Sequence, residues 1–160
     1  MSWKISKKGF GLAAILAGFL AATLPTLGSA SIWFDEAFSR HIIRFDFGRI
    51  WHFTSLDVHP PFYYFCLKVW SMIFGASDFS IRALSVAFGL ATLIALYFLI
   101  KRLYNSKAAL LSVFFVAFSP LFIKYSQEAR MYTLVALLAI VSIRAYYEAF
   151  VAANSQKKQT

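Results

Sequence analysis

Three short polar segments in an otherwise apolar chain hold the side chains able to do chemistry. The first is Asp35-Glu36. Glu36 has Arg40 four residues ahead, the spacing of a helix-surface ion pair. Asp35 meets only Phe38 and Ser39 at those offsets, so it has no local counter-charge. It reads equally as a first-turn acid facing the helix dipole and as a carboxylate free to take a proton. The second is His59-Pro60-Pro61, with Asp57 nearby. The prolines hold the imidazole in extended backbone at a helix entry. It is either a turn histidine or a ligand for phosphate or metal. Asp35 and His59 are the pair open to a divalent metal. The third is Lys124 to Tyr132, which packs Lys124, Glu128, Arg130, Tyr125 and Tyr132 into one turn. Snorkelling at a span end accounts for Lys124. It accounts less well for Glu128 and Arg130, and arginine is suited to bidentate phosphate contact. Arg82, flanking an apolar run, is a further phosphate candidate.

These segments need a scaffold, and the composition says which kind. The chain is 60% hydrophobic with only 14% charged residues, and its mean hydropathy is +0.65. No Asp, Glu, Lys, Arg or His occurs from Gly9 to Phe34, from Ala83 to Ile100, or from Ala108 to Ile123. A helix crosses the hydrocarbon with roughly 20 apolar residues. The expectation is an all-α polytopic membrane fold of about four spans, near 9–29, 82–101, 107–124 and 131–150. The last span is the weakest, since Arg144 must snorkel. A cleaved leader over Gly9 to Ala30 is a minor alternative, with Gly28-Ser29-Ala30 as its cleavage site.

A net charge of +9 would suggest nucleic acid in a soluble chain. Here the cations follow topology instead. With the N-terminus inside, Lys4, Lys7, Lys8, Lys101, Arg102, Lys107, Arg144, Lys157 and Lys158 all fall on the inner side. The termini are then cytoplasmic, residues 152–160 form a polar tail, and no nucleic-acid partner is expected. The long outer loop, 30–81, should carry two amphipathic juxtamembrane helices. One runs from about Phe34 to Phe45, and the other begins after His59-Pro60-Pro61 and ends at Gly75. Asp78 or Ser80 should cap the next span, and Asn105-Ser106 should turn the inner hairpin. Cys66 is single, which excludes an internal disulfide, and it reads as packing.

In order and spacing the chain resembles a known family. The carriers are Trp33-Phe34-Asp35-Glu36-Ala37, His59-Pro60-Pro61-Phe62-Tyr63-Tyr64, Arg82-Ala83-Leu84-Ser85 and Ser126-Gln127-Glu128-Ala129-Arg130-Met131-Tyr132. They are similar to the N-terminal part of GT-C membrane glycosyltransferases, in the branch of protein O-mannosyltransferases and aminoarabinose transferases. The likeness implies a polyprenyl-phosphate-linked sugar as donor and transfer at the outer face of a plasma membrane. It places the family's acidic residue at Asp35 with Glu36 beside it. By motif alone, His59, Glu128 and Arg130 correspond as well. Family members carry many more spans, so 1–151 is expected to be a partial domain, with the missing spans supplied by another membrane subunit. The rival expectations are a non-catalytic membrane module and, less well supported by the apolar span interiors, a transporter subunit.

Overall fold

The computed structural model describes residues 7–56 and 59–152. Lys4, Asp57, Lys157 and Lys158 lie outside the described residues, as does the tail from 153 onward. Among the described residues the secondary structure is helical throughout, as an all-α chain requires. The helices are α1 (Lys7–Thr23), α2 (Phe34–Ile42), α3 (Phe47–Ser55), α4 (Phe62–Phe74), α5 (Asp78–Leu103), α6 (Ser106–Ala117), α7 (Pro120–Ser126) and α8 (Tyr132–Tyr146). A 3-10 turn, Leu24–Thr26, follows α1, and a π-helical segment, Tyr147–Ala152, continues α8.

By length and composition two helices can cross a membrane, α5 and the continuous Tyr132–Val151. A third span exists if α6 and α7 are taken together, bent by 65° at their break. Pro120 explains the bend, because it lacks an amide hydrogen and drives the preceding Ser119 into extended backbone. The apolar stretch Phe10–Thr26 is shorter than the span expected over 9–29, since Pro25 tightens its end into the 3-10 turn. The chain is an integral membrane protein.

Helix α5 is the axis of the bundle and packs chiefly on α6 and α8. Ser77 caps its start by accepting from the Ser80 amide at 3.2 Å, so neither Asp78 nor Ser80 is the cap. Ser77 stands one residue before the first helical turn, where an N-cap hydroxyl must sit. Asn105 starts α6 by accepting from Lys107 and Ala108 amides, both at 3.0 Å. One core cluster gathers Phe19, Leu27, Val86, Leu93, Val113 and Ala117 between α1, α5 and α6. Another lies at the end where α2 to α4 fold over, with Ile42, Ile50, Tyr63, Tyr64, Leu67 and Ile81.

That covering is made of three short helices rather than two. The first stops at Ile42, short of Phe45. Helix α3 was not expected; Asp46 caps it by accepting from the Arg49 amide at 2.9 Å. Helix α4 begins after Pro61 and ends where Gly75 takes φ +79°, a conformation that favours glycine.

Candidate functional site

Two consecutive acids at the start of α2 point to different arginines. Glu36 lies one residue along from Asp35, so a helix turns their side chains about 100° apart. Glu36 is turned inward and is 1% exposed. It does not pair with Arg40, as the i, i+4 spacing suggests; Arg40 instead reaches Asp78 at 2.6 Å. The partner of Glu36 is Arg82 of α5, with Nε to Oε1 at 2.8 Å and Nη2 to Oε2 at 2.6 Å. A buried, two-armed ion pair displaced the expected surface pair because Arg82 reaches Glu36 from α5, 46 residues along the chain, which sequence spacing does not encode. The Ala129 amide also donates to Glu36 Oε1 at 2.8 Å. Burial alone pushes the Glu36 carboxyl up, but the Arg82 fork and the Ala129 amide outweigh it and hold the group below its ordinary range.

Arg82 has no donor left over. Beyond Glu36, its Nη1 donates to the Leu27 and Ala30 carbonyls at 2.8 and 2.9 Å, and its Nη2 to Ser31 at 3.2 Å. All five N–H groups are thus used on the chain itself. The side chain considered as a phosphate ligand instead ties α5 to the end of α1 and the start of α2.

Arg130 is buried to a similar degree, at 3% exposed, yet is poorly satisfied. Its one short contact is Nη2 with His59 Nε2 at 2.8 Å. An arginine always donates, so that imidazole nitrogen must accept. Nη1 reaches the Asp35 carbonyl and the Tyr64 hydroxyl only at 3.4 Å each. Nη2 lies 3.6 Å from the Asp35 carboxylate, and Nε has no hydrogen-bond partner among the described residues. Asp35 therefore has a counter-charge after all, supplied from across the fold rather than from its own helix. Its side chain is one-third exposed, so it stays reachable. A ladder of hydroxyls fixes the turn beneath: Ser85 donates to the Arg130 carbonyl at 3.2 Å, and Thr133 donates to the Ser85 carbonyl at 2.9 Å.

Asp35, His59 and Arg130 are thus brought together, and Tyr64 joins them unforeseen. Lys124, Glu128 and Tyr132 are not part of that group. Lys124 and Glu128 line a separate cavity of about 260 Å³ with Glu36, Arg82, Trp33 and Gln127. Gln127 also escaped the sequence reading; its amide donates to the Thr23 carbonyl at 2.9 Å and to Thr26 Oγ1 at 2.6 Å. The Tyr132 ring packs tilted against Tyr125, ring centres 4.4 Å apart, and both face an apolar groove of about 240 Å³ beside the α6–α7 bend. Among the described residues no three His, Cys, Asp or Glu side chains gather where one ion could be held. Asp35 and His59 both face a guanidinium, so that pair does not suit a divalent metal.

The family model described as dolichyl-phosphate-mannose-protein mannosyltransferase matches residues 58–159. No curated protein matches, and no solved structure matches.

Proposed function

The chain belongs to the dolichyl-phosphate-mannose-protein mannosyltransferase family, and from that premise we propose that it takes part in transferring a sugar from a polyprenyl phosphate to an acceptor hydroxyl at the outer membrane face. The membrane is a plasma membrane in this reading, and the termini are cytoplasmic.

The observation that carries the reading is the contrast between the two buried arginines. Arg82 is fully engaged, whereas among the described residues Arg130 has one short contact, three long ones and an Nε without a partner. A buried donor left unsatisfied needs an explanation, and an incoming phosphate oxygen supplies one. Lipid phosphate is already a good leaving group, so the step needs positive charge on the departing phosphate more than a strong acid. Arg130 provides that charge, and His59 holds its Nη2 in place. Asp35 takes the proton of the acceptor hydroxyl while that oxygen bonds to the sugar's anomeric carbon and the bond to phosphate breaks. The groove lined by Leu121, Phe122, Tyr125 and Tyr132 suits the first part of the lipid tail. Thr133 lines the groove and donates to the Ser85 carbonyl, and Ser85 in turn holds the Arg130 carbonyl.

The test is sugar transfer from a polyprenyl-phosphate donor by the membrane-assembled enzyme, with variant abundance measured by immunoblot. Asp35→Asn keeps the shape and removes the base, and should lower the rate on the order of a hundredfold or more. Arg130→Lys keeps a charge and loses the planar fork, and should weaken donor use as well. Transfer by Asp35→Asn equal to wild type, at equal abundance, would refute the mechanism.

A further inference from the structure

Glu128 is left over by the arrangement around Asp35. Its Oε2 is buried and has no hydrogen-bond partner among the described residues. The side chain lines the cavity of about 260 Å³ that Asp35, His59 and Arg130 do not line. Trp33 offers a partly open indole there, 43% exposed. Ser29 and Ser31 add hydroxyls, Lys124 adds an ammonium group, and Glu36 with Arg82 closes one wall as a neutralised pair.

The charges in this cavity select the ligand. With Glu36 and Arg82 neutralising each other, an anion would meet the Glu128 carboxylate and a cation the Lys124 ammonium. A purely apolar group would leave Glu128 Oε2 without a partner, which is costly once water is displaced. A neutral ring that is rich in hydroxyls and has one apolar C–H face fits all of the walls. Its face lies on the indole, a hydroxyl donates to Glu128, and another accepts from Lys124.

We propose that this cavity is a saccharide subsite, separate from the Asp35 side of α2, in which Trp33 packs against a neutral sugar ring and Glu128 Oε2 receives one of its hydroxyls. The proposal rests on the glycosyl-transfer reading for the origin of the ring, which belongs either to the donor or to a glycosylated acceptor.

The experiment is saturation-transfer NMR on the full chain in lipid nanodiscs, with methyl α-mannopyranoside as probe and inorganic phosphate as the anionic comparison. Wild type should bind the mannoside saturably and show no competition from phosphate. Trp33→Ala and Glu128→Ala should each weaken binding by about tenfold, the effect of one lost good contact. Monodisperse elution and an unchanged melting point would establish that both variants are folded. Asp35→Asn should bind the mannoside like wild type. In the transfer assay, Glu128→Ala should raise KM for whichever substrate carries the ring, which distinguishes donor from acceptor. Unchanged binding in both folded variants, no saturable binding in wild type, or loss of binding in Asp35→Asn would overturn the proposal. Full transfer by Asp35→Asn would instead overturn the transfer mechanism and leave the subsite intact.

Discussion

Glu36 and Arg82, 46 positions apart, meet through both arms of a guanidinium–carboxylate fork at 2.8 and 2.6 Å. Their side chains are 1% and 3% exposed. The contact sets the angle at which the chain leaves α1 and enters α2. It therefore determines where Asp35, the next residue back, is presented.

Removing one partner of such a pair leaves the other buried and uncompensated. Glu36→Gln should destabilise the protein by about 3–5 kcal/mol. Arg82→Lys should fail similarly, because an ammonium cannot reach two carboxylate oxygens and three carbonyls together. Arg40→Gln is the comparison, since its pair with Asp78 is about two-fifths exposed on both sides. An exposed pair contributes about 0–1 kcal/mol. Thermal melts of the three variants in one detergent should give a steep loss for the first two and little change for the third. Equal melting of Glu36→Gln and wild type would show that the fork is dispensable.

Acid sensitivity follows from the same pair, and its sign is fixed. The folded carboxyl of Glu36 lies below its ordinary value of 4.5. Its contribution is therefore present above the unfolded value and is lost as pH falls through the folded one. Glu128 is shifted the other way, chiefly by burial. Charging it costs stability as pH rises through 4.5 toward its raised folded value. Melting temperature should accordingly drop below about pH 4.5 in wild type, and this acid limb should be shallower in Glu36→Gln. Glu128→Gln should melt no lower than wild type at neutral pH. A lower melting point there would contradict the burial account.

Gly89 is a packing constraint. A Cβ there would sit 3.0 Å from Ser126 Oγ and 3.1 Å from Phe19 Cζ. The close approach of α1, α5 and α7 depends on its missing side chain. Gly89→Val should cost about 1–3 kcal/mol through overpacking, while Gly75→Ala should be resisted for backbone reasons, at φ +79°. Deep-well expression with a fluorescent fusion reads both. Normal folded yield of Gly89→Val would mean the three helices are looser than drawn.

Orientation is testable with an impermeant thiol reagent in a Cys66→Ser background. The Lys and Arg distribution puts Ser55 outside and Asn105 inside. Ser55→Cys should label in intact cells and Asn105→Cys only after permeabilisation. The reverse pattern would invert the topology.

Local signals in the sequence were read well where the chain determines its own structure. His59-Pro60-Pro61 and Gly75 bracket α4 as proline and glycine should, and Asn105 starts α6. The 65° bend at Pro120 depends on how α7 packs, which no local signal encodes. Helix α3 was overlooked, although Asp46 three residues before Arg49, with Ile50 and Thr54 on one face, is a usable start signal. The partners of Asp35 and Glu36 were beyond reach, because Arg130 and Arg82 approach from helices far along the chain. The i+3 and i+4 spacing identifies only neighbours on the same helix.

The bend in the third span has a consequence for membrane supply. The apolar groove lies beside the 65° break between α6 and α7. Under the proposed transfer, a lipid carrier enters that groove from the surrounding leaflet without its chain passing through water. Only the isoprene units next to the phosphate would touch Leu121, Phe122 and Tyr132, and the remainder would stay among neighbouring lipids. Such a doorway has no ruler: carriers of different chain length should be equally admissible.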